Sequence, residues 1–330
     1  MRAYCSLTRV RTLAVASSRL SSLAQALLAP GIGYLAEQQA IDSQMREHVV
    51  NWMADTHWRA RQQLETLYLA VSLFDRFLST TPVPLNKVIL VGATCVFIAS
   101  KFEQLFRSEV CGCIHFRRST LPFLYLHSNL CVRLCMRARD TATVQIHLEE
   151  LANHVGMRVG GQQDIRDCEV AILRAIRFRV SCPTAYTFVT HYIERLSLPR
   201  TQALYVHFVC ECMLQHYSML AWRPSVLAAA ALVVGSAMHN RHAHEPVEVL
   251  SAELVASLTN TSLAEVSACC DAMLAIVEKP RTYVLYNVIL DKYRQREFGG
   301  AAFFSAIVNF PVGREARAAQ ASARASASTG

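Results

Sequence analysis

Two apolar stretches, each the third in a series of predicted helices, constrain the fold more than any other feature of this sequence. The first covers residues 88–99 and the second covers residues 226–234. A helix that is apolar on all sides is stable in water only when other helices pack around it. Each stretch by itself is shorter than a bilayer requires. The sequence therefore predicts two helical bundles, each built around its own central helix.

Composition agrees with a large, mostly helical protein. The chain has 330 residues, 52% of them hydrophobic and 18% charged, which is enough for two domains with substantial cores. Only 12 Gly and 10 Pro interrupt it. A β-sandwich or β-barrel of this length needs more turn residues than that. We therefore predict an all-α protein.

The helical periodicity divides the chain into two similar halves. In the first half, residues 42 or 43 begin a helix by N-capping, and four more helices follow at about 64–78, 86–102, 144–156 and 164–178. The second half predicts helices at about 183–196, 200–219, 225–240, 251–259 and 262–278. Five helices in each half, with the third the most apolar, indicate an internal repeat. We predict two tandem five-helix folds preceded by an N-terminal helix.

The two ends of the chain differ from the middle. Residues 1–33 carry several Arg and Ser and no acidic residue, which is typical of a mitochondrial transit peptide. The alternative, which we favour, is an amphipathic helix with leucines on one side that ends at Pro30 and Gly31. Residues 306–330 are rich in Ala, Ser and Arg without periodicity, and we expect a disordered tail.

Charge and cysteine content exclude some classes of protein. The 33 basic and 25 acidic residues give a net charge of +8, but only four of the basic residues are lysines and no basic cluster stands out. We therefore expect no nucleic-acid partner. The 12 Cys follow no repeated spacing in a chain too long for a small disulfide scaffold, so reduced thiols are expected. We also expect no membrane partner and no cofactor.

Several motifs occur in one register and together resemble the cyclin family. In the first half they are Tyr34, Gln38, Ile41, Met45, Arg46 and Trp52; residues 65–71; residues 75–79; Leu90, Val91 and Gly92; and residues 98–103. In the second half they are Pro183, Thr184 and Phe188; Pro224, Ser225 and residues 228–230; and Lys292, Tyr293, Phe298, Gly299 and Gly300. The last group is similar to the ending of A/B-type, or mitotic, cyclins. Many matched positions in one register are more specific than a single short motif.

This resemblance implies an organisation and a function. It implies an N-terminal segment at 1–33, a cyclin box at 34–181, a C-terminal cyclin fold at 182–305 and a tail at 306–330. Cyclins have no active site, and the sequence shows no phosphate loop, Gly-x-Ser-x-Gly or His-Glu-x-x-His motif. The implied role is a regulatory subunit that forms a heterodimer with a cyclin-dependent protein kinase, activates it and controls mitotic progression. The implied location is the nucleus and cytoplasm.

The resemblance also assigns roles to particular residues. Arg46 and Asp75 would form a buried structural pair, with Leu90 as the apolar member of the same signature. Lys101 and Glu169 would lie side by side at the kinase interface and bond to backbone groups of the kinase. Phe102, Phe178 and Val180 would be their exposed apolar companions, a composition typical of interface hot spots. The alternatives are an ordinary surface ion pair for the first two and core packing for the apolar three.

A second surface would dock substrates or inhibitors that carry Arg-x-Leu motifs. The positions that match this patch are Met45, His48, Val49, Trp52, Asp55 and Ile89. His48 stands where the family has an aliphatic residue, and Ile89 stands where it has a polar one. We therefore expect an altered motif preference if docking occurs. Trp52 could equally belong to the core.

Residues 105–140 do not fit the family pattern. Where cyclins have a short connection, this chain has a long segment rich in Arg and Cys that lacks helix-capping signals. Three interpretations are open: an error in the gene structure, a genuine surface loop, or a metal site. The candidate ligands of the third are Cys111, Cys113, His115, His127, Cys131 and Cys135, whose spacing matches no known zinc pattern. We expect no metal.

Two other functions keep the fold and change the role. Cyclin folds also occur in transcription-kinase cyclins and in general transcription factors that bind DNA. A DNA-binding member should carry a basic stripe on its second repeat, where this chain has few basic residues. The other alternative is a cyclin-like scaffold that binds a kinase without activating it.

Overall fold

The computed structural model describes residues 33–107, 162–242, 250–278, 287–293 and 295. Every regular element in these ranges is a helix or a 3-10 turn, and they contain no strand. This confirms the all-α prediction. The predicted N-terminal helix, the helix predicted at 144–156 and the tail lie outside the described residues. The same holds for the candidate metal ligands between Cys111 and Cys135.

The described residues of the chain divide into two compact units. One contains those up to Thr184 together with Leu214–Ala221, and the other contains Ala185–Met213 and those from Trp222 onward. The sequence analysis divided the chain into consecutive segments. The first unit, however, also contains the eight residues Leu214–Ala221 from the second half of the sequence.

Four helices form the described part of the first unit. They are α1 (Ser43–Arg59), α2 (Leu64–Leu78), α3 (Val88–Arg107) and α4 (Gln162–Ala175), with 3-10 turns at Tyr34–Glu37, Leu85–Lys87 and Tyr217–Ala221. The Asp42 carboxylate caps α1 by accepting a hydrogen bond from the Met45 amide at 2.7 Å. The central helix is α3, which packs against α1, α2 and α4.

Burial of α3 follows from its composition. Ala93, Cys95 and Ala99 have no solvent exposure, and the residues between them are at most 4% exposed. The run 88–99 lies within a longer stretch, Leu85–Glu103, which by length and composition alone could cross a membrane. However, 78% of that stretch is buried inside the unit, as in the core helix of a bundle.

Helix α3 is longer than the sequence suggested. We expected it to end near Phe102, but it continues to Arg107. Residues 103–107 include no Gly or Pro, so no helix-breaking residue stops the helix at Phe102. Leu105 and Arg107, which the sequence analysis placed in the atypical segment, are therefore helical. The rest of that segment lies outside the described residues.

The described part of the second unit contains five helices and a short sixth. They are α5 (Ala185–Leu196), α6 (Arg200–Gln215), α7 (Pro224–His242), α8 (Ala252–Thr259), α9 (Leu263–Glu278) and α10 (Asn287–Tyr293). The central helix is α7, which packs against α5, α8 and α9. Its residues from Ala228 to Leu232 are fully buried. The sequence analysis extended α6 to Met219, but the helix ends at Gln215 and a 3-10 turn follows.

Several helices end without glycine. Arg61, Arg177, Ser197 and Asn260 have left-handed backbone conformations, with φ between 50° and 54°. The next residue in each case donates its amide to a carbonyl five positions earlier. This is the Schellman arrangement, in which glycine is the usual residue. Without a glycine signal, periodicity alone still predicted the ends near 196 and 259, but it gave no end for α1 and extended α4 to Phe178 instead of Ala175.

Candidate functional site

Lys101 and Glu169 form a buried ion pair between α3 and α4. The ammonium of Lys101 donates to Oε1 of Glu169 at 2.7 Å, across 68 positions in the chain. Their side chains are 8% and 10% exposed. The sequence analysis predicted that these two residues lie side by side, and the fold brings them together because α3 and α4 pack against each other.

The pair keeps hydrogen-bonding capacity beyond its own contact. A lysine ammonium has three donors and a carboxylate has two acceptor oxygens. The bond between the pair uses one donor and one oxygen. The Phe97 ring lies 4.7 Å from Nζ of Lys101 and stabilises the charge by a cation–π contact. The pair therefore retains unused donors and an unused acceptor oxygen on two side chains that are slightly exposed.

The predicted apolar companions are not all exposed. Phe102 is 3% exposed and Val180 is 1% exposed, so the expectation of an exposed surface is wrong for both. Phe102 is on the side of α3 that faces the core, one position beyond Lys101. Val180 lies in the extended segment after α4 and anchors it. Phe178 alone of the three is half-exposed.

The second predicted pair, Arg46 and Asp75, is fully buried. Nε and Nη2 of Arg46 each donate to one oxygen of Asp75 at 2.8 Å, which is a bidentate arrangement between α1 and α2. Nη1 of Arg46 donates to the Gln215 carbonyl at 2.7 Å. Burial lowers the pKa of Arg46, but the Asp75 charge more than offsets this effect and the net pKa is raised. Arg46 thus remains charged and joins three segments of the first unit.

Tyr34 completes this pair and had no role in the sequence analysis. Its hydroxyl donates to Oδ1 of Asp75 at 2.7 Å. Burial, followed by the Asp75 charge, raises the pKa of the Tyr34 phenol, so it remains a donor. Its ring meets that of Tyr217 edge-on at 5.4 Å. Tyr34 belongs to the matched motif, and that register was the available signal.

Gln38 also belongs to the motif and fixes the turn after α2. Its side-chain amide donates to the carbonyls of Leu78 and Thr81 at 2.6 and 2.9 Å. Its oxygen accepts from the Val83 amide at 3.0 Å. One side chain therefore satisfies three backbone groups of the connection that leads into α3.

The docking positions divide between surface and core. His48 is exposed, and Met45, Trp52, Asp55 and Ile89 are half-buried. Val49 is 3% exposed and packs against Gly92 of α3, so its assignment to a surface patch was wrong. Leu90, the apolar member of the box signature, is 8% exposed. Asp55 accepts a hydrogen bond from Nε of Arg59 at 2.8 Å.

A second buried charge cluster lies in the other unit. Nζ of Lys292 donates to both oxygens of Glu211 at 2.8 Å, and the Tyr293 hydroxyl donates to Oε1 at 2.6 Å. The acid comes from α6 and both donors come from α10. The combination of tyrosine, acid and base resembles that of Tyr34, Asp75 and Arg46 in the first unit. Sequence analysis noted Lys292 and Tyr293 but gave them no partner.

Within the described ranges, no three His, Cys, Asp or Glu side chains are grouped as metal ligands would be. The described cysteines are free thiols. The buried charged pairs Arg46–Asp75, Lys101–Glu169 and Lys292–Glu211 each join two helices. Such an arrangement is suited to presenting a surface to a partner.

Comparison with known proteins places this fold in a class. A viral cyclin from herpesvirus saimiri superposes with a TM-score of 0.56 at 14% identity, covering 78% of this chain and 95% of that one. The class is therefore a protein with two cyclin folds in tandem. The model of the cyclin N-terminal domain matches residues 21–121, and that of the C-terminal domain matches residues 183–307. The chain belongs to the cyclin family.

Curated relatives are B-type cyclins. Cyclin-B1-2 of Arabidopsis thaliana is 25% identical over 82% of this chain. The G2/mitotic-specific cyclin-B of Patella vulgata is 28% identical over 59% of it. The chain spans about half the length of the first relative and 38% of the second. Cyclins are regulatory rather than catalytic proteins.

Proposed function

We propose that this protein is the regulatory subunit of a cyclin-dependent protein kinase, which it binds as a heterodimer and activates. The observation that carries the proposal is the Lys101–Glu169 pair, which is assembled from distant positions and retains a donor and an acceptor. The B-type relatives, one of which is named a G2/mitotic-specific cyclin, support a mitotic role. We propose the nucleus and cytoplasm as the location of this activity.

The pair is suited to a backbone partner. A polypeptide segment presents carbonyl acceptors and amide donors, so an adjacent ammonium and carboxylate can bind both at once. Bonds to charged groups are stronger than those between neutral groups. Half-exposed Phe178 supplies apolar area on the segment that follows α4. These features support contact with a mobile kinase helix and its flanking loop.

Activation would then work through conformational equilibrium. A kinase is active only when its Lys–Glu pair and its metal-binding Asp are in place together. A partner that binds this arrangement better than the inactive one shifts the population toward it. The cyclin would need only to be rigid, and the buried pairs in both units contribute to that rigidity.

Docking of Arg-x-Leu substrates or inhibitors is the second part of the proposal. Met45, Trp52 and Ile89 remain partly accessible, and Asp55 offers a carboxylate to an incoming arginine. Arg59 already binds that carboxylate, so it would compete with the substrate. The imidazole of His48 makes this patch more polar than an aliphatic side chain would. The preference of this cyclin would therefore differ from that of relatives with an aliphatic residue there.

A charge exchange tests the kinase interface. Removal of one partner would leave a buried charge unpaired and confuse folding with binding. The double variant Lys101→Glu with Glu169→Lys keeps an ion pair but exchanges donor and acceptor. We expect thermal stability close to that of the wild type and at least about tenfold weaker binding to the kinase. The measurement is co-purification with a panel of purified cyclin-dependent kinases, followed by a histone phosphorylation assay.

Lys87→Glu is the matched control, because Lys87 is exposed on the turn before α3. It should bind and activate the kinase like the wild type. If the charge-exchanged variant also activates fully, the pair is purely structural and the proposed interface is wrong. A wild-type chain that binds a kinase without raising its activity would instead support a scaffold.

A further inference from the structure

The guanidinium of Arg76 is a buried cation with few hydrogen-bond acceptors around it. Arg76 follows Asp75 on α2 and is 7% exposed. Its Nη2 donates to the backbone carbonyl of Arg179 at 2.7 Å. Its Nη1 is also buried and has no hydrogen-bond acceptor among the residues that the structure describes. Arg46, on the neighbouring helix, by contrast donates hydrogen bonds to the Asp75 carboxylate and to the Gln215 carbonyl.

Stability alone does not account for such a residue. A buried charge is costly unless it is paired and fully hydrogen-bonded. Replacement of buried ionic groups by apolar side chains of similar volume is often neutral or stabilising. A buried polar atom without a partner in a native fold requires another explanation. The contact that Arg76 does make, with Arg179, indicates what that explanation is.

Arg179 lies in residues 177–182, which we call the α4 exit segment. Its first two residues, Arg177 and Phe178, have φ of 54° and 58°, and neither is glycine. A left-handed conformation costs a non-glycine residue roughly 1–2 kcal/mol. Consecutive strained residues persist only where the surroundings hold them. The exit segment therefore depends on external contacts for its shape.

Two contacts from α2 hold this segment. Arg76 bonds to the Arg179 carbonyl, and one turn earlier on α2 the hydroxyl of Ser72 lies 3.1 Å from Sγ of Cys182. Buried Val180 lies between these two tethers. The result is that Phe178 remains half-exposed, with exposed Arg177 and Arg179 on either side.

We propose that Arg76 is a positioning residue that holds the α4 exit segment so that Phe178 is presented to the kinase. The inference rests on the proposed function, because it names the residue that shapes one part of that interface. Arg76 itself does not touch the partner. It acts through the carbonyl of Arg179 and the left-handed turn beside it.

The variant Arg76→Met tests this role. Methionine fills much of the same space without the charge, so the melting temperature should stay at the wild-type value or rise. Hydrogen exchange of the peptide that contains residues 176–182 should become faster, while peptides from α1 and α3 remain as protected as before. Affinity for the cyclin-dependent kinase that binds the wild-type chain should fall about tenfold.

A rescue variant distinguishes a positioning role of Arg76 from a general effect on the stability of the protein. Glycine adopts positive φ without strain, so Arg177→Gly in the Arg76→Met background should restore the turn and most of the kinase affinity. A structural defect elsewhere would not be repaired by that change. Arg195→Met is the control for loss of one positive charge, because Arg195 is exposed in the other unit. It should change neither exchange nor affinity.

Each outcome decides the proposal. Unchanged exchange at 176–182 in Arg76→Met would overturn it, as would a large loss of melting temperature without rescue by Arg177→Gly. If the wild-type chain binds no kinase of the panel, the proposed function fails separately. Local exchange and its rescue then still decide whether Arg76 holds the exit segment.

Discussion

At the scale of single residues, the Asp75 carboxylate accepts three hydrogen bonds in the interior of the first unit. It accepts from both arms of the Arg46 guanidinium and from the Tyr34 hydroxyl. Its side chain is 2% exposed and that of Arg46 is 0% exposed. Removal of only one partner of this pair is costly, because the other charge then stays buried without an opposite charge beside it.

Asp75→Asn should therefore destabilise the protein by about 3–5 kcal/mol. The free energy of unfolding from urea denaturation is the appropriate measurement. Asp55→Asn is the matched control, because Asp55 pairs with Arg59 of the same helix at the surface and such pairs contribute little. Equal, small effects of the two substitutions would show that the buried pair does not stabilise the fold.

His207 makes the second unit sensitive to pH. Burial and the nearby Lys292 ammonium lower its pKa from 6.5 to about 4. Between these values the unfolded chain binds a proton that the folded chain does not, so stability falls as pH falls from about 6.5 to 4. The loss from this group is at most about 3 kcal/mol.

His207→Phe should flatten this dependence while keeping a ring beside Tyr186, whose centroid is 5.6 Å away. Urea denaturation at several pH values, with wild type and variant compared, gives the difference. An NMR titration of the His207 ring provides a direct check. A variant that loses as much stability as the wild type between pH 6.5 and 4 would contradict the assignment.

At the scale of elements, the two central helices approach their neighbours at glycine. A Cβ on Gly235 of α7 would lie 2.7 Å from Cα and 2.8 Å from the amide nitrogen of Val206 on α6. A Cβ on Gly92 of α3 would meet only side chains, with Cγ1 of Val49 at 2.9 Å and Met53 at 3.6 Å. Backbone cannot move aside as a side chain can.

Gly235→Ala should thus cost about 1–3 kcal/mol, because α6 and α7 must separate. Gly92→Ala should cost less, since Val49 and Met53 can readjust and alanine is the better helix former. The same substitution in corresponding helices isolates the effect of close packing. Thermal denaturation of both variants measures it, and an equal cost for the two would refute the argument.

The residues at which helices end, and the helices that pack against each other, were the hardest features to predict from the sequence. The N-cap signal of α1 was recognisable and left two candidates, Asp42 and Ser43, of which Asp42 is the cap. The ends at Arg61 and Arg177 carry none, because the left-handed residue is arginine rather than glycine. Periodicity identified α3 as central, but it could not determine that Phe102 and Val49 face the core. Those faces depend on which helix packs on each side.

At the scale of the whole molecule, charge is dispersed. Basic residues occur throughout the chain, whose net charge is +8, and in the described part of the second unit Arg223 pairs with Glu265 at 2.6 Å. A DNA-binding protein needs several phosphate contacts along one face.

We therefore predict no specific binding to duplex DNA. Fluorescence anisotropy with a labelled duplex at about 50 and 200 mM salt is the measurement. Affinity should be weak at both concentrations. Tight binding that falls by orders of magnitude between them would favour a cyclin-fold transcription factor over a kinase regulator.

The sequence by itself determined the helical class, the repeat and the register of the cyclin motifs, because each is written in local periodicity and residue type. The tertiary structure decided which motif residues meet, which are covered and which carry strain. Three contacts join residues that are far apart in the chain and form only after helices pack. They are Lys101 with Glu169, Arg46 with Gln215, and Arg76 with Arg179. Burial and pairing are properties of that packing, and local sequence does not encode them.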